Sequence, residues 1–161
     1  MNEAQAEEPL IRPLREWAEF AAVAAVRRQV FVLEQACPEE EEFDDWEAAA
    51  THFVIEWRGR IVGTARLYQP RPGMAKIGRV ALLPEVRGRG WGADLIRAME
   101  RHLQALGVPE AELDSQVAVI PFYEKLGYVA EGPEFLDAGI PHRHMGRRLR
   151  CLGDSTRRNP Q

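Results

Sequence analysis

The stretch "VALLPEVRGRGWGADLI", Val80 to Ile96, decides the fold. Its first residues are apolar and suit a buried strand, and its last begin a helical pattern. Between them Gly88, Gly90 and Gly92 fall at every second position, with Arg87 and Arg89 interleaved. A strand, a glycine loop and a helix in that order predict a mixed α/β chain. Glycine lets backbone N–H groups approach a ligand with no Cβ between. The first helical turn adds unpaired N–H donors and partial positive charge, which suits an anion. The competing reading is a surface turn with two solvated arginines.

Outward from that loop the pattern is regular. Leu95, Ile96, Met99, Leu103 and Leu106 recur at helical spacing until Gly107 and Pro109 stop the helix. Upstream, "PLIRP" (9–13) reads as a short strand. The alanine-rich segment 14–35 reads as one helix whose apolar face is Trp17, Phe20, Ala21, Ala24, Val26 and Val30. "HFVIEWR" (52–58) and "IVGTARLYQ" (61–69) form a hairpin turning at Gly59–Arg60, "PRPG" (70–73) ends it, and "AKIGRVALL" (75–83) is the next strand. Downstream come a strand at 111–116, a short helix at 119–127 closed by Gly127, and closing strands at 128–132 and 139–149. The expected domain runs over 9–150, with loose ends at 1–8 and 151–161.

Composition limits the function. With 161 residues, 45% of them hydrophobic, the chain suits one folded domain. A net charge of −4 argues against a nucleic-acid partner. No apolar run approaches the roughly 18 residues that span a bilayer. "MNEAQAEEP" is too polar for a secretory signal. Cys37 and Cys151 could form one bridge, but nothing else suggests a disulfide scaffold, so reduced thiols and a cytoplasmic location are expected. Residues 39–47 hold seven acids in nine positions and are expected to be a solvated loop, with attraction of a cationic amine as the alternative.

Three phosphate loops compete for Gly88–Gly92. A Walker loop needs lysine and a hydroxyl after its last glycine, but Ala93 and Asp94 follow, which excludes it. A dinucleotide fingerprint is met in letters by Gly88, Gly90 and Ala93, yet Pro84 to Arg87 separate it from the strand. A pyrophosphate cradle at a helix start remains. Here "RGRGWGA" resembles the R/Q-x-x-G-x-G/A motif of the GNAT superfamily of acyl-CoA-dependent N-acyltransferases, through Arg87, Gly90 and Gly92. "VFVLEQACPEEEEFDD" (30–45), "SQ" (115–116), "FYEKLGY" (122–128) and "DAGIPHRHM" (137–145) resemble its ElaA-like branch, in order, over about 10–150. Pro121 departs from the pattern, standing where many relatives carry an asparagine that touches the cofactor arm.

The resemblance implies a central twisted mixed sheet of about six to seven strands flanked by helices. It implies that Arg87, Gly88, Arg89, Gly90, Trp91, Gly92 and Ala93 hold the pyrophosphate of coenzyme A. The backbone of Val80, Ala81 and Leu82 would pair with the pantetheine arm like an added strand. The implied reaction is transfer of an acetyl group from acetyl-CoA to a primary amine by direct attack in a ternary complex, without a metal. The alternatives are acyl-homoserine-lactone synthesis and a non-catalytic acyl-CoA-binding module. No membrane partner is implied, and a homodimer stays open.

Such chemistry needs a neutral amine, donors for the oxyanion and an acid for the departing thiolate. Tyr123 is the expected acid, against a packed amphipathic tyrosine. The Leu82 N–H is the expected polariser of the thioester. Glu34 and His52 compete as base with a water chain, and each has a structural reading, as an ion-pair partner and a strand-end histidine. Glu34, Gln35 and Gln116 are expected to face the acceptor. Cys37 reads as a small packed residue rather than a nucleophile. His142 and His144 would share one strand face, without an evident third metal ligand.

Overall fold

A computed structural model describes residues 8–151. The expected loose ends at 1–8 and 151–161 lie almost wholly outside them. Seven strands form one mixed sheet: β1 (Leu10–Pro13), β2 (Thr51–Trp57), β3 (Arg60–Arg71), β4 (Met74–Leu82), β5 (Glu110–Gln116), β6 (Val129–Asp137) and β7 (Ile140–Arg148). Their order is β1-β2-β3-β4-β5-β7-β6. The helices are α1 (Phe20–Arg27), α2 (Glu39–Glu42), α3 (Trp91–Ala105) and α4 (Ile120–Lys125). Among the described residues no helix is long and apolar enough to cross a membrane.

The chain gathers into two compact units, one from residues up to Tyr68 with Gly78–Ala98, the other from Gln69–Ile77 with the residues from Met99 onward. In the first unit β1 and β3 flank β2 in antiparallel register, Ile11 facing Ile55 and Phe53 facing Ala65. Val54, Ile55 and Val62 are fully buried. Val26 and Val30 pack with Ala81 against Phe31, Ile61 and Leu83. In the second unit β4 and β5 are parallel, Met74–Lys76 beside Glu110–Glu112. β7 runs antiparallel to both β5 and β6, with Leu113 facing Met145 and Gln116 facing His142. The parallel pair follows from the strand–loop–helix–strand order, because a parallel neighbour needs a long crossover.

The stripe expected on α3 is real for Leu95, Ile96, Met99 and Leu103, all fully buried. Leu106 departs from it: it lies beyond the helix and is 59% exposed. The helix closes with the Gly107 N–H on the Gln104 carbonyl and the Val108 N–H on the Leu103 carbonyl, which turns the chain before another helical turn can form. "PRPG" also departs from expectation, since β3 runs on through Pro70 to Arg71 before turning.

The single helix expected at 14–35 is three pieces. A 3-10 turn (Trp17–Glu19) precedes α1, and a π-helix (Arg28–Glu34) follows it. The start is delayed because the Glu19 carboxylate accepts the Arg15 N–H at 2.8 Å and Arg12 at 2.7 Å, which holds the chain out of helical register. The buried face is Val23, Ala24, Val26, Arg27 and Val30; Ala21 is exposed and Trp17 is stacked on Phe20 at the surface. An arginine on the inner face overturns the apolar reading of that segment.

The acidic run 39–47 is likewise not a solvated loop. Glu42 and Glu47 are buried, and α2 turns one helical turn of it. Arg27, itself fully buried, donates from Nε to Glu42 at 2.8 Å, from Nη2 to the Glu42 carbonyl at 2.8 Å, and from Nη1 to Glu47 at 2.5 Å. Arg66 grips both oxygens of Asp44, at 2.6 and 2.7 Å, and also Glu47. Arg79 adds bonds to the carbonyls of Glu42 and Glu41. Buried charges persist only when paired, and here the buried Arg27 and Arg66 face the buried Glu42 and Glu47, with the half-buried Arg79 and the more exposed Asp44 at the edge of the network. Glu40, Glu41 and Asp45 stay exposed.

Candidate active site

The glycine loop is built from both its ends. Upstream, Ala81 is buried against Val26 and Val30, which fixes β4 by its side chains. The Leu83 N–H is tied to the Val62 carbonyl at 2.9 Å. A 3-10 turn (Pro84–Val86) follows, plugged by the fully buried Val86. Arg87 is extended, and the chain then passes through Gly88 (φ +78°) and Gly90 (φ +82°). An L-residue with a side chain is strained there by about 1–2 kcal/mol. A Cβ added at either glycine would meet nothing within 4 Å. Conformation, not crowding, therefore requires glycine, and the positions open onto free space. The Asp94 N–H reaches the Gly90 carbonyl at 3.2 Å, which starts α3 and leaves the amides of Trp91, Gly92 and Ala93 as first-turn donors. That arrangement suits a multiply charged anion such as a pyrophosphate.

Neither arginine is a free surface charge. Arg87 Nε donates to the Leu82 carbonyl at 2.9 Å, and its Nη2 donates to Glu34 Oε1 at 3.0 Å. Arg89 lies over both Trp57 (4.9 Å) and Trp91 (5.2 Å), two rings that meet edge-on at 5.5 Å. Trp57, at the end of β2, is a wall of this loop that the sequence reading missed. The available signal was an indole beside a turn in "EWRGR".

Glu34 closes the π-helix. Ala36 then takes φ +56° and the Cys37 N–H reaches back to the Phe31 carbonyl at 2.9 Å. That span is one residue longer than an ordinary helix C-cap bond, as the wider π turn requires. Gln35 is half-buried beside it. The structure thus brings together Glu34, Arg87 and Leu82, which the sequence had proposed for separate roles.

His52 sits elsewhere in the first unit, against Phe20 and Trp17 and only 3% exposed. A carbonyl only accepts, so the 2.8 Å contact of Nε2 with the Glu47 oxygen makes Nε2 the protonated nitrogen. Nδ1 is buried without a hydrogen-bond partner among the described residues. Burial pushes the ring's pKa below its usual value.

In the second unit Tyr123 sits on α4, buried, with its phenol pushed up to about 12 by desolvation. It meets Tyr128 edge-on at 5.9 Å. The Tyr128 hydroxyl donates to Glu100 at 3.0 Å, and Arg147 Nη1 holds the same carboxylate oxygen at 2.6 Å. Gln116 is the last residue of β5 and faces His142 across the strands. His144 is held by Asp114 at 3.0 Å and Glu112 at 3.5 Å. Cys37 and Cys151 are not joined by a disulfide.

The comparisons with known proteins agree with this geometry. The model of the acetyltransferase (GNAT) domain matches residues 16–149. The N-acetyltransferase YjcF of Bacillus subtilis, itself uncharacterized, is 39% identical over 121 residues, 74% of this chain and 86% of that one. A crystal structure from Lactobacillus plantarum, provisionally assigned as an N-acetyltransferase, superposes with a TM-score of 0.82 at 27% identity, over 89% of this chain and 99% of that one. Escherichia coli ElaA shares the fold, with a TM-score of 0.73 at 22% identity, over 86% and 99% of the two chains. Matched from its first helical turn to the end of its last strand, the chain belongs to the GNAT acetyltransferase family and is an acyl-CoA-dependent acyltransferase.

Proposed function

We propose that this enzyme transfers an acetyl group from acetyl-CoA directly to a primary amine, with residues 9–150 acting as one domain in the cytoplasm. The observation that carries the proposal is the open loop of Gly88 and Gly90 at the start of α3, on a chain of this family. Gly88, Gly90, Trp91, Gly92 and Ala93 would hold the pyrophosphate through backbone amides, with Arg87 and Arg89 at the rim. Val80, Ala81 and Leu82 would pair with the pantetheine arm, and the Leu82 N–H would polarise the thioester carbonyl. The Arg87 bond to the Leu82 carbonyl supports this reading, because it holds the strand end still beside the loop.

Glu34, Gln35 and Gln116 would face the acceptor. Glu34 has one oxygen on Arg87 and offers the other to an ammonium group. The exposed Glu40, Glu41 and Asp45 would steer a cationic amine over a longer range. We assign no proton transfer to His52, which is sealed from solvent. Tyr123 would donate to the departing thiolate. A phenol near 12 stays protonated throughout the working range, but it is a weaker acid than a thiol of about 8.5. Its proton therefore moves only as the C–S bond breaks, when charge collects on sulfur.

The relative's name favours acyl transfer to nitrogen over a binding module. The test is a screen of amines, polyamines and peptides for release of the CoA thiol, beside calorimetry with acetyl-CoA. Tyr123→Phe is expected to lower kcat about 100-fold while leaving acetyl-CoA affinity unchanged. Absence of acetyl-CoA binding by the wild type overturns the proposal.

A further inference from the structure

We infer that His142 is the general base of this site, taking at Nε2 the proton that the acceptor amine loses. The inference rests on the acyl-transfer reading above. His142 and His144 lie on one face of β7, two residues apart, yet their ring nitrogens are used differently. His144 has a carboxylate on each nitrogen, Asp114 on Nδ1 and Glu112 on Nε2. Among the described residues His142 has one hydrogen bond, from Nδ1 to the Ile140 carbonyl at 2.7 Å. Because that oxygen can only accept, Nδ1 carries the hydrogen and Nε2 carries the lone pair. The ring is half-buried and held by stacking on Phe135, at 5.9 Å and 25°. A fixed tautomer, a fixed ring and an unengaged basic nitrogen are what a general base requires.

Its place in the fold is also apt. In α/β sheets ligands gather at the carboxyl ends of parallel strands. Gln116 ends β5, which is parallel to β4, and His142 is its direct cross-strand partner. Opposed residues share a face. The charged groups on that face are Glu110, Glu112 and Asp114 on β5, His144 and Arg148 on β7, Glu131 and Asp137 on β6, and Lys76 on β4. The turn Val117–Val119 carries none. Glu112 and Asp114 are already matched to His144, and Asp114 also to Lys76 at 2.7 Å. His52 has the opposite tautomer and is sealed, so it cannot play this part.

The step balances. The amine nitrogen forms the C–N bond as its proton passes to Nε2. The C–S bond then breaks, and the thiolate takes the Tyr123 proton. The imidazolium releases its proton to water, and the phenolate regains one. The net change is amine plus thioester to amide plus thiol.

His142→Asn is the test, because the Asn amide can keep the bond to the Ile140 carbonyl while removing the base. It should lower kcat about 100-fold, leave the KM for acetyl-CoA unchanged and abolish the acidic limb of the kcat/KM profile. Added imidazole should restore part of the turnover, and His144→Asn should keep the acidic limb. In wild-type protein, ¹⁵N-histidine NMR should show the Nδ1–H tautomer for His142. An active wild type with an unchanged His142→Asn profile, or an Nε2–H tautomer, overturns this inference alone. A wild type that acylates no amine in the screen overturns the acyl-transfer reading, and this one with it.

Discussion

The glycine loop at 87–93 and the acidic segment at 39–47 are both short, charged connections in the first unit, and they are built on opposite principles. The loop spends its charge at the surface. Its glycines hold φ +78° and +82° over open space, and its arginines are fixed by a carbonyl, a carboxylate and two indole rings. The acidic segment turns its charge inward, where Arg27, Arg66 and Arg79 meet Glu42, Asp44 and Glu47. One keeps donors available to a ligand. The other turns Glu42 and Glu47 onto buried arginines, and so anchors α1 and the π-helix that carries Glu34. Charge in a connection therefore says little about binding until its partners are known.

The comparison breaks most sharply at Arg27. Arg27→Met should cost about 3–5 kcal/mol, because Glu42 and Glu47 would stay buried without their cation. Urea unfolding measures this. A loss under 1 kcal/mol would mean the acidic segment swings out to water instead. Gly90→Ala comes next. The positive φ makes it cost about 1–2 kcal/mol, and the acetyl-CoA KM should rise with it. An unchanged KM would separate the loop's conformation from binding.

Arg87→Gln should hardly affect stability, within roughly 1 kcal/mol, since its ion pair with Glu34 is half-exposed. Its effect should appear in acetyl-CoA affinity and in the salt dependence of that affinity. Equal losses of stability at Arg27 and Arg87 would erase the distinction between the two regions.

The smallest effect is in acid. Arg66 holds the Asp44 carboxyl below its usual pKa, so the folded state favours the charged form. That contribution is fully present above the ordinary carboxyl pKa of about 3.9 and is lost as pH falls through the lower, folded value. Burial raises Glu42 instead, so its protonation on acidification opposes the loss. Urea midpoints between pH 5 and pH 2.5 should therefore fall less steeply in Asp44→Asn than in wild type. Parallel slopes would show that Asp44 is not linked to stability.

The readings that held were local ones. The apolar strand, the glycine loop and the α3 stripe depend on neighbours within a few positions, on φ and on a period of 3.6 residues. The same holds for the β2–β3 hairpin and for the family resemblance, which rides on short motifs. Leu106 failed because helical spacing does not show where the C-cap falls. Trp57 was missed because the β2–β3 turn carries it toward Trp91, far along the chain.

The sequence by itself therefore determined much of the sheet-and-helix order, the glycine loop ahead of α3 and the family. Only tertiary structure decided which charges are buried, that an arginine sits on the inner face of α1, and which nitrogen of His52 and of His142 holds the proton. The reason is physical. A helix period or a glycine φ is set by adjacent residues, whereas the burial of a charge depends on partners farther along the chain, such as Arg27 for Glu42 and Arg66 for Glu47, and a tautomer on the carbonyl that the fold brings to the ring, as Glu47 for His52.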